Sequence, residues 1–129
     1  MKYKFGILQE MARVGFIPPN DAKGIEVYVH TDDKGNTPHF HVRKRSSHNR
    51  YKWEACIRYD SPKYFSHGRY NSKIDNKTAE DLDSMLRSQN IKNPGKTYWE
   101  TCVIEWNQNN SSVELPMDLE QPDYTQLNK

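Results

Sequence analysis

The sequence predicts an α+β domain: a small antiparallel sheet, formed by a hairpin and one or two further strands, packed on one face by two or three helices. Two observations predict this class. Apolar and polar residues alternate with a period of two over residues 24–29, 38–43 and 52–59, which is typical of half-buried strands. Apolar residues then recur at helical spacing over residues 78–90 and 98–107.

Length and composition restrict the chain to one domain. Its 129 residues fit a single domain, and its 3 Trp, 8 Tyr and 4 Phe supply the apolar bulk of a core. No run approaches the roughly 20 apolar residues that cross a bilayer, so no membrane contact is predicted. Two cysteines, Cys56 and Cys102, are too few for a disulfide framework or a paired zinc motif. We therefore expect free thiols in the cytoplasm.

The domain is predicted to span residues 1–110, with a helical extension at residues 1–23. Apolar residues fall at helix spacing over residues 3–14, and Gly15 with the prolines after it would end that helix. Residues 111–129 are acidic, polar and interrupted by prolines. They predict an extended tail, docked or mobile.

A β-hairpin joins the first two alternating segments. Residues 32–36 read Asp-Asp-Lys-Gly-Asn, a composition that tolerates the backbone angles of a turn. Residues 46–49 form the next turn, before the strand at residues 52–59. Residues 65–74 are less regular and are predicted to contain a fourth strand.

Two helices complete the predicted fold. Thr78 with Asp81 three residues later fits a capping box, which marks the start of a helix that runs to Asn90. Apolar residues at i, i+4 and i+7 predict a second helix over residues 98–107. The β-branched residues of that segment keep a strand as the alternative.

The hairpin gathers three histidines on one face of the sheet. His39 and His41 are two residues apart, so both point away from the face that carries Phe40. His30 lies on the partner strand, opposite His39 or His41 depending on the position of the turn. We expect this histidine face to be exposed. Arginines crowded around the imidazoles would favour neutral rings, which suit general bases and metal ligands.

Basic and aromatic residues alternate in the segment that follows. Residues 43–73 contain nine basic, six aromatic and two acidic residues. This mixture is what single-stranded nucleic-acid binding requires, because cations attract phosphates and rings stack on bases. A solvated sheet face is the alternative. The candidate nucleic-acid-binding residues are Arg43, Lys44, Arg45, Arg58 and Arg69.

Other residues have simpler interpretations. Cys56 has no paired base that the sequence identifies, so we expect a small buried or half-buried residue. His67 lies in a polar loop and is expected to be exposed. The acidic tail carries four carboxylates and one lysine, a charge that could cover the basic segment in cis.

Three functions remain open for the histidine face. The first is a non-catalytic surface that docks a protein partner. The second is cleavage of RNA without a metal, with His39 and His41 as base and acid, His30 as a third catalytic residue, and arginines as phosphate anchors. The third is a site for Zn²⁺ or a similar ion at two or three of His30, His39 and His41, completed by Glu54 or Asp32.

The hairpin also resembles a known family. Residues 28–32 and 37–42 are similar to a family of small uncharacterised bacterial proteins whose hairpin ends in Pro-Pro-His-Phe-His-Val. The resemblance covers residues 24–107, with Thr37 in place of the first proline. It implies an α+β fold, a role for the two histidines of the motif, and a toxin-like protein that pairs with a small antitoxin-like partner. Together with the basic segment, it leads us to expect a bacterial or mobile-element protein that acts on or binds RNA.

Overall fold

The computed structural model describes residues 11–17, 24–30, 37–47, 50–110 and 112–129. Within these residues four strands form one antiparallel sheet in the order β1-β2-β3-β4, and helices pack on it, so the predicted α+β class is confirmed. The elements are β1 (Met11–Phe16), β2 (Ile25–His30), β3 (His39–Ser47), β4 (Arg50–Arg58), α1 (Asn76–Arg87), α2 (Tyr98–Asn109) and a 3₁₀ turn (Tyr124–Gln126). Neither helix α1 nor helix α2 is long and apolar enough to span a bilayer.

One face of the sheet carries the apolar core. Val27, Phe40 and Ile57, from three successive strands, are fully buried and cluster with Leu82 of α1 and Trp106 of α2. These residues share a face because side chains alternate along a strand and the strands are in register. The predicted hairpin strands and third strand are confirmed, and β3 continues to Ser47, so the assignment of residues 46 and 47 to a turn is wrong. The predicted hairpin turn at residues 32–36, with the candidate ligand Asp32, and residues 48–49 lie outside the described residues.

The predicted N-terminal helix is wrong where the structure describes it. Residues 11–14 belong to β1, which pairs with β2 at the edge of the sheet, with Ala12 opposite Val29. Helical spacing predicted the wrong element because pairing with a long-range partner outweighs the local pattern. The rest of that helix, residues 3–10, lies outside the described residues.

Gly15 lets β1 lie directly against both helices. A Cβ atom at this position would lie 2.8 Å from the Met85 Cε and 2.8 Å from the Tyr98 Cε1, closer than atoms can approach. The glycine therefore serves close packing of a strand. Its predicted role as a helix terminator is wrong.

Residues 61–75, here called the covering loop, replace the predicted fourth strand. The loop makes only isolated bridges, between Ile57 and Tyr64 and between His67 and Tyr70. Gly68 adopts a φ of 54° in the turn between the latter two residues. Backbone hydrogen bonds hold the loop along the free edge of β4. The fourth strand of the sheet is β1, contributed from the other end of the sequence.

Helix α1 begins two residues before the predicted Thr78 and ends at Arg87, not at Asn90, whereas α2 begins where predicted. Asp75, not Thr78, caps α1, and its side chain accepts a hydrogen bond from the Thr78 backbone N–H at 2.7 Å. The capping box predicted at Thr78 is wrong because Thr78 already lies in the first turn. For α2, the helix is confirmed over the alternative strand, and Thr97 and Glu100 form its capping box.

The C-terminal tail docks on the helix side of the domain. Tyr124 is fully buried in the core, and its backbone N–H donates to Asp83 of α1 at 2.9 Å. The Trp99 indole donates to the carbonyl of Leu119 at 2.8 Å, and the Trp106 indole to that of Val113 at 2.7 Å. These contacts place the described part of the tail against α1 and α2, not over the histidine face.

The Asp75 cap makes a pH-dependent contribution to stability. Hydrogen bonds from the Thr78 side chain and backbone hold the pKa of the Asp75 carboxyl below its usual 3.8. Folding therefore favours the ionised form, and this stabilisation is present above pH 3.8 and lost as the pH falls further. We expect Asp75→Ala to lower the free energy of unfolding by about 1 kcal/mol at pH 7, measured by urea denaturation. Asp75→Asn still caps the helix and should lose only the acid dependence; an equal loss in both variants contradicts the assignment.

The tail contributes to the core through Tyr124. We expect Tyr124→Ala to lower the free energy of unfolding by about 3–5 kcal/mol, because it empties a fully buried aromatic site. The control is Met117→Ala in the same tail, where the side chain is 60% exposed and the expected change is within about 0.5 kcal/mol. Equal and small effects of the two substitutions would show that the tail is not part of the folded core.

Candidate functional site

Strand register brings the three predicted histidines together. Tyr28 of β2 lies opposite His41 of β3, and the same register continued places His30 opposite His39. The His30 and His41 rings stack with centroids 4.1 Å apart, and the His39 and His41 centroids are 5.2 Å apart. All three side chains lie on the face of the sheet opposite the core.

The histidine face is buried, not exposed. His39 and His41 have 0% of their surface exposed, and His30 is half-buried. The covering loop lies over them, with the Phe65 and His67 rings 4.7 Å and 5.1 Å from the His39 ring. The expectation of an exposed face is therefore wrong for His39 and His41. His67, expected in solvent, is half-buried as part of the cover.

Two residues of β4, Glu54 and Cys56, extend the cluster. The Nδ1 atom of His41 lies 3.0 Å from Glu54 Oε2 and 3.3 Å from Cys56 Sγ. The Tyr28 hydroxyl donates to the same carboxylate oxygen. We call His30, His39, His41, Glu54 and Cys56 the histidine cluster.

Cys56 is the member of the cluster that sequence reasoning missed. Its burial was expected, but its neighbour was not, because the β3–β4 register that pairs Cys56 with His41 joins residues 15 positions apart. Hairpin pairing of the two segments was the available signal. Pairing the two segments through a turn at residues 46–49 limits the possible cross-strand neighbours of His41 to a few residues of β4.

The Glu54 carboxyl has a perturbed pKa. Burial raises its pKa from 4.5 to about 7, the positive charge of Arg69 opposes that rise, and the negative charge of Glu26 adds to it. The carboxyl therefore exchanges its proton near neutral pH, which is the range in which a general acid or base works best.

Two overlapping groups within the cluster could hold a metal ion. The buried group is His39, His41 and Cys56, and the group nearer the surface is His30, His41 and Glu54. In each group the ligand atoms lie within 4.8 Å of one another. The predicted histidine trio is thus divided between two groups that share His41.

A cleft of about 480 Å³ opens beside the histidine cluster. It is lined by the outer members of the cluster, by exposed cations and by tyrosines. These residues include His30, Glu54, Lys52, Arg69, Tyr51 and Tyr70. The cleft brings solvent to the half-buried edge of the cluster, whereas His39 and His41 stay beneath it.

Two of the predicted phosphate-binding arginines, Arg43 and Arg45, share one buried acid, Glu26. Arg43 is 8% exposed, and its Nε donates to the buried Glu26 at 2.6 Å. Its guanidinium lies between the Tyr28 and Tyr51 rings, 4.2 Å and 3.9 Å from their centroids. Arg45 donates to the other Glu26 oxygen at 3.1 Å. Arg43 therefore supports the cleft wall and is poorly placed to contact a phosphate.

The other three predicted cations are spread around the domain. Arg58 makes two hydrogen bonds of 2.8 Å to Asp60. Lys44 is half-buried on the core face of the sheet, in register with Trp53. Arg69 is exposed and lines the cleft. The five cations thus do not form one continuous patch.

Comparisons with protein-family models, with curated proteins and with solved structures find no match to this chain. The resemblance carried by the hairpin residues stays an expectation from those residues.

We expect the Glu54 carboxyl of the metal-free protein to titrate near pH 7 when followed by ¹³C NMR. Because its pKa is raised on folding, the associated stability is present below pH 4.5 and is lost as the pH rises through about 7. Arg69→Ala should raise the pKa further, since the guanidinium charge favours the carboxylate. Arg87→Ala, on the helix side, should leave it unchanged. A midpoint near 4.5 in the wild type contradicts the prediction.

Proposed function

We propose that this chain is a metal-binding protein that holds Zn²⁺ with His39, His41 and Cys56. The observation that carries the proposal is the convergence of two imidazoles and a thiol, all buried, with ligand atoms within 4.8 Å of one another. Imidazole and thiolate together are the ligands that Zn²⁺ prefers.

The hydrogen-bond partners of the two histidines favour a tautomer with the lone pair on the same ring atom, Nε2. The Nδ1 atom of His39 donates to the carbonyl of Thr37 at 2.7 Å, and the Nδ1 atom of His41 faces Glu54 at 3.0 Å. A ring that donates through Nδ1 to an oxygen carries its lone pair on Nε2. Carbonyl and carboxylate partners of this kind orient metal-binding histidines in many proteins.

One distance within the group fits a tetrahedral ion. His41 Nε2 lies 3.6 Å from Cys56 Sγ. Two ligands at the usual Zn–N and Zn–S distances, with a tetrahedral angle between them, are separated by about 3.6 Å. His39 lies on the same strand as His41, and Cys56 lies opposite His41 on the adjoining strand. The hydrogen-bonded backbone of the two strands therefore fixes the positions of all three residues.

This proposal revises the predicted ligand set and the predicted catalysis. Cys56 replaces His30 in the predicted ligand set, because a buried thiol suits Zn²⁺ and lies directly beside His41. Metal-independent cleavage of RNA by His39 and His41 is not retained, since fully buried rings cannot reach a nucleic-acid strand. Three protein ligands leave one position of a tetrahedral ion open to water or a small ligand.

Elemental analysis of protein purified without a His tag tests the proposal, together with Co²⁺ substitution. We expect about one metal ion per chain and a thiolate-to-cobalt charge-transfer absorption in the Co²⁺ form. Cys56→Ser should abolish that absorption. The matched control is Cys102→Ser, which alters the other buried free cysteine and should leave the absorption unchanged.

Two further variants test the geometry. His41→Ala should remove stoichiometric binding, and Glu54→Gln, which alters only an outer contact, should weaken Zn²⁺ affinity by about 10–100-fold in a competition titration. The proposal is overturned if the folded wild-type protein takes up no stoichiometric Zn²⁺, or if Cys56→Ser retains the thiolate absorption.

A further inference from the structure

We propose that the cleft beside the histidine cluster binds single-stranded nucleic acid, with Lys52 and Arg69 contacting phosphates and the Tyr51 and Tyr70 rings stacking on bases. This inference is independent of metal binding. It rests on the charge, the aromatic walls and the size of the cleft.

The rim of the cleft is cationic. Lys52 and Arg69 are exposed, whereas the acids in their neighbourhood are Glu54 and the buried Glu26. Glu26 is already paired with Arg43 and Arg45. Arg45 is also exposed, lies 5.8 Å from the Tyr51 ring centroid and, together with Arg43, outnumbers the single charge of Glu26. The cations around the cleft therefore dominate the field that an approaching ligand meets, and that field favours an anion.

Aromatic rings form the walls between the cations. Tyr51 is 38% exposed, and the Arg43 guanidinium backs its ring at 3.9 Å. The Tyr70 ring is held edge-on to His41 with centroids 5.0 Å apart, and its hydroxyl accepts a hydrogen bond from Arg69. Rings already held in place lose little entropy when a base stacks on them, which is how sequence-tolerant single-strand sites gain affinity.

The size of the cleft favours an unpaired strand. A volume of about 480 Å³ lies within the range of about 300–1,000 Å³ typical of small-ligand sites. Such a cleft accepts one or two nucleotides with their phosphates. Bases in a duplex are stacked on one another and do not offer their faces to Tyr51 or Tyr70.

Fluorescence anisotropy with a 5′-labelled decauridylate tests the inference, using protein as purified. We expect binding that weakens with salt, binding of the matching DNA strand by the same cleft, and much weaker binding of a duplex of equal length. Tyr51→Ala should weaken binding by about fivefold or more, the loss of one stacked base. Arg69→Ala should weaken it and reduce the slope of log affinity against log salt by about 0.7.

Two controls separate recognition from folding and from unspecific charge. Tyr51→Phe keeps the ring and should bind like the wild type. Lys92→Ala removes an exposed cation from the helix side and should leave affinity unchanged. Equal affinity for duplex and single strand, or no effect of Tyr51→Ala in a folded variant, overturns the inference. Absence of any nucleic-acid binding also overturns the inference, and an acidic protein partner is then the remaining candidate ligand for the cleft.

Discussion

The pairing of β3 with both of its neighbours is the constraint on which the rest of the structure depends. Its register sends Phe40 and Val42 to the core and His39 and His41 to the opposite face. A shift of one residue would exchange the two sets, because side chains alternate along a strand. Burial of the apolar set under α1 and α2 thus fixes the position of every residue in the histidine cluster.

The same register creates a polar cluster in a sheet that is covered on both of its faces. Two fully buried imidazoles are costly unless their ring atoms are hydrogen-bonded. Thr37, Glu54 and Cys56 supply contacts to their rings, and the covering loop lies over them. A protein that needed only stability would gain more from apolar residues at these positions. The presence of two imidazoles and a thiol together at these buried positions is what our proposal of a metal site explains.

Cluster and cleft are linked through Glu54 and His30. Both residues line the cleft, and Glu54 also contacts His41 inside the cluster. A change of charge at the buried site would therefore be felt at the cleft wall through one carboxylate. This arrangement separates the residues that we propose hold a metal from those that we propose meet a ligand, although all of them belong to one face of the sheet or to the loop that covers it.

The sequence by itself determined the α+β class, the hairpin strands, the third strand and helix α1, because period-two and helical spacing are local signals. For α2 it favoured a helix but left a strand open, and the structure decided between them. It also placed His39 and His41 on one face, since residues two apart on a strand always share one. Only the tertiary structure decided that β1 is a strand, that the covering loop buries this face, and that Cys56 lies against His41. Each of these outcomes depends on contacts between segments distant in sequence, and hydrophobic periodicity carries no record of which distant segment will pack against which.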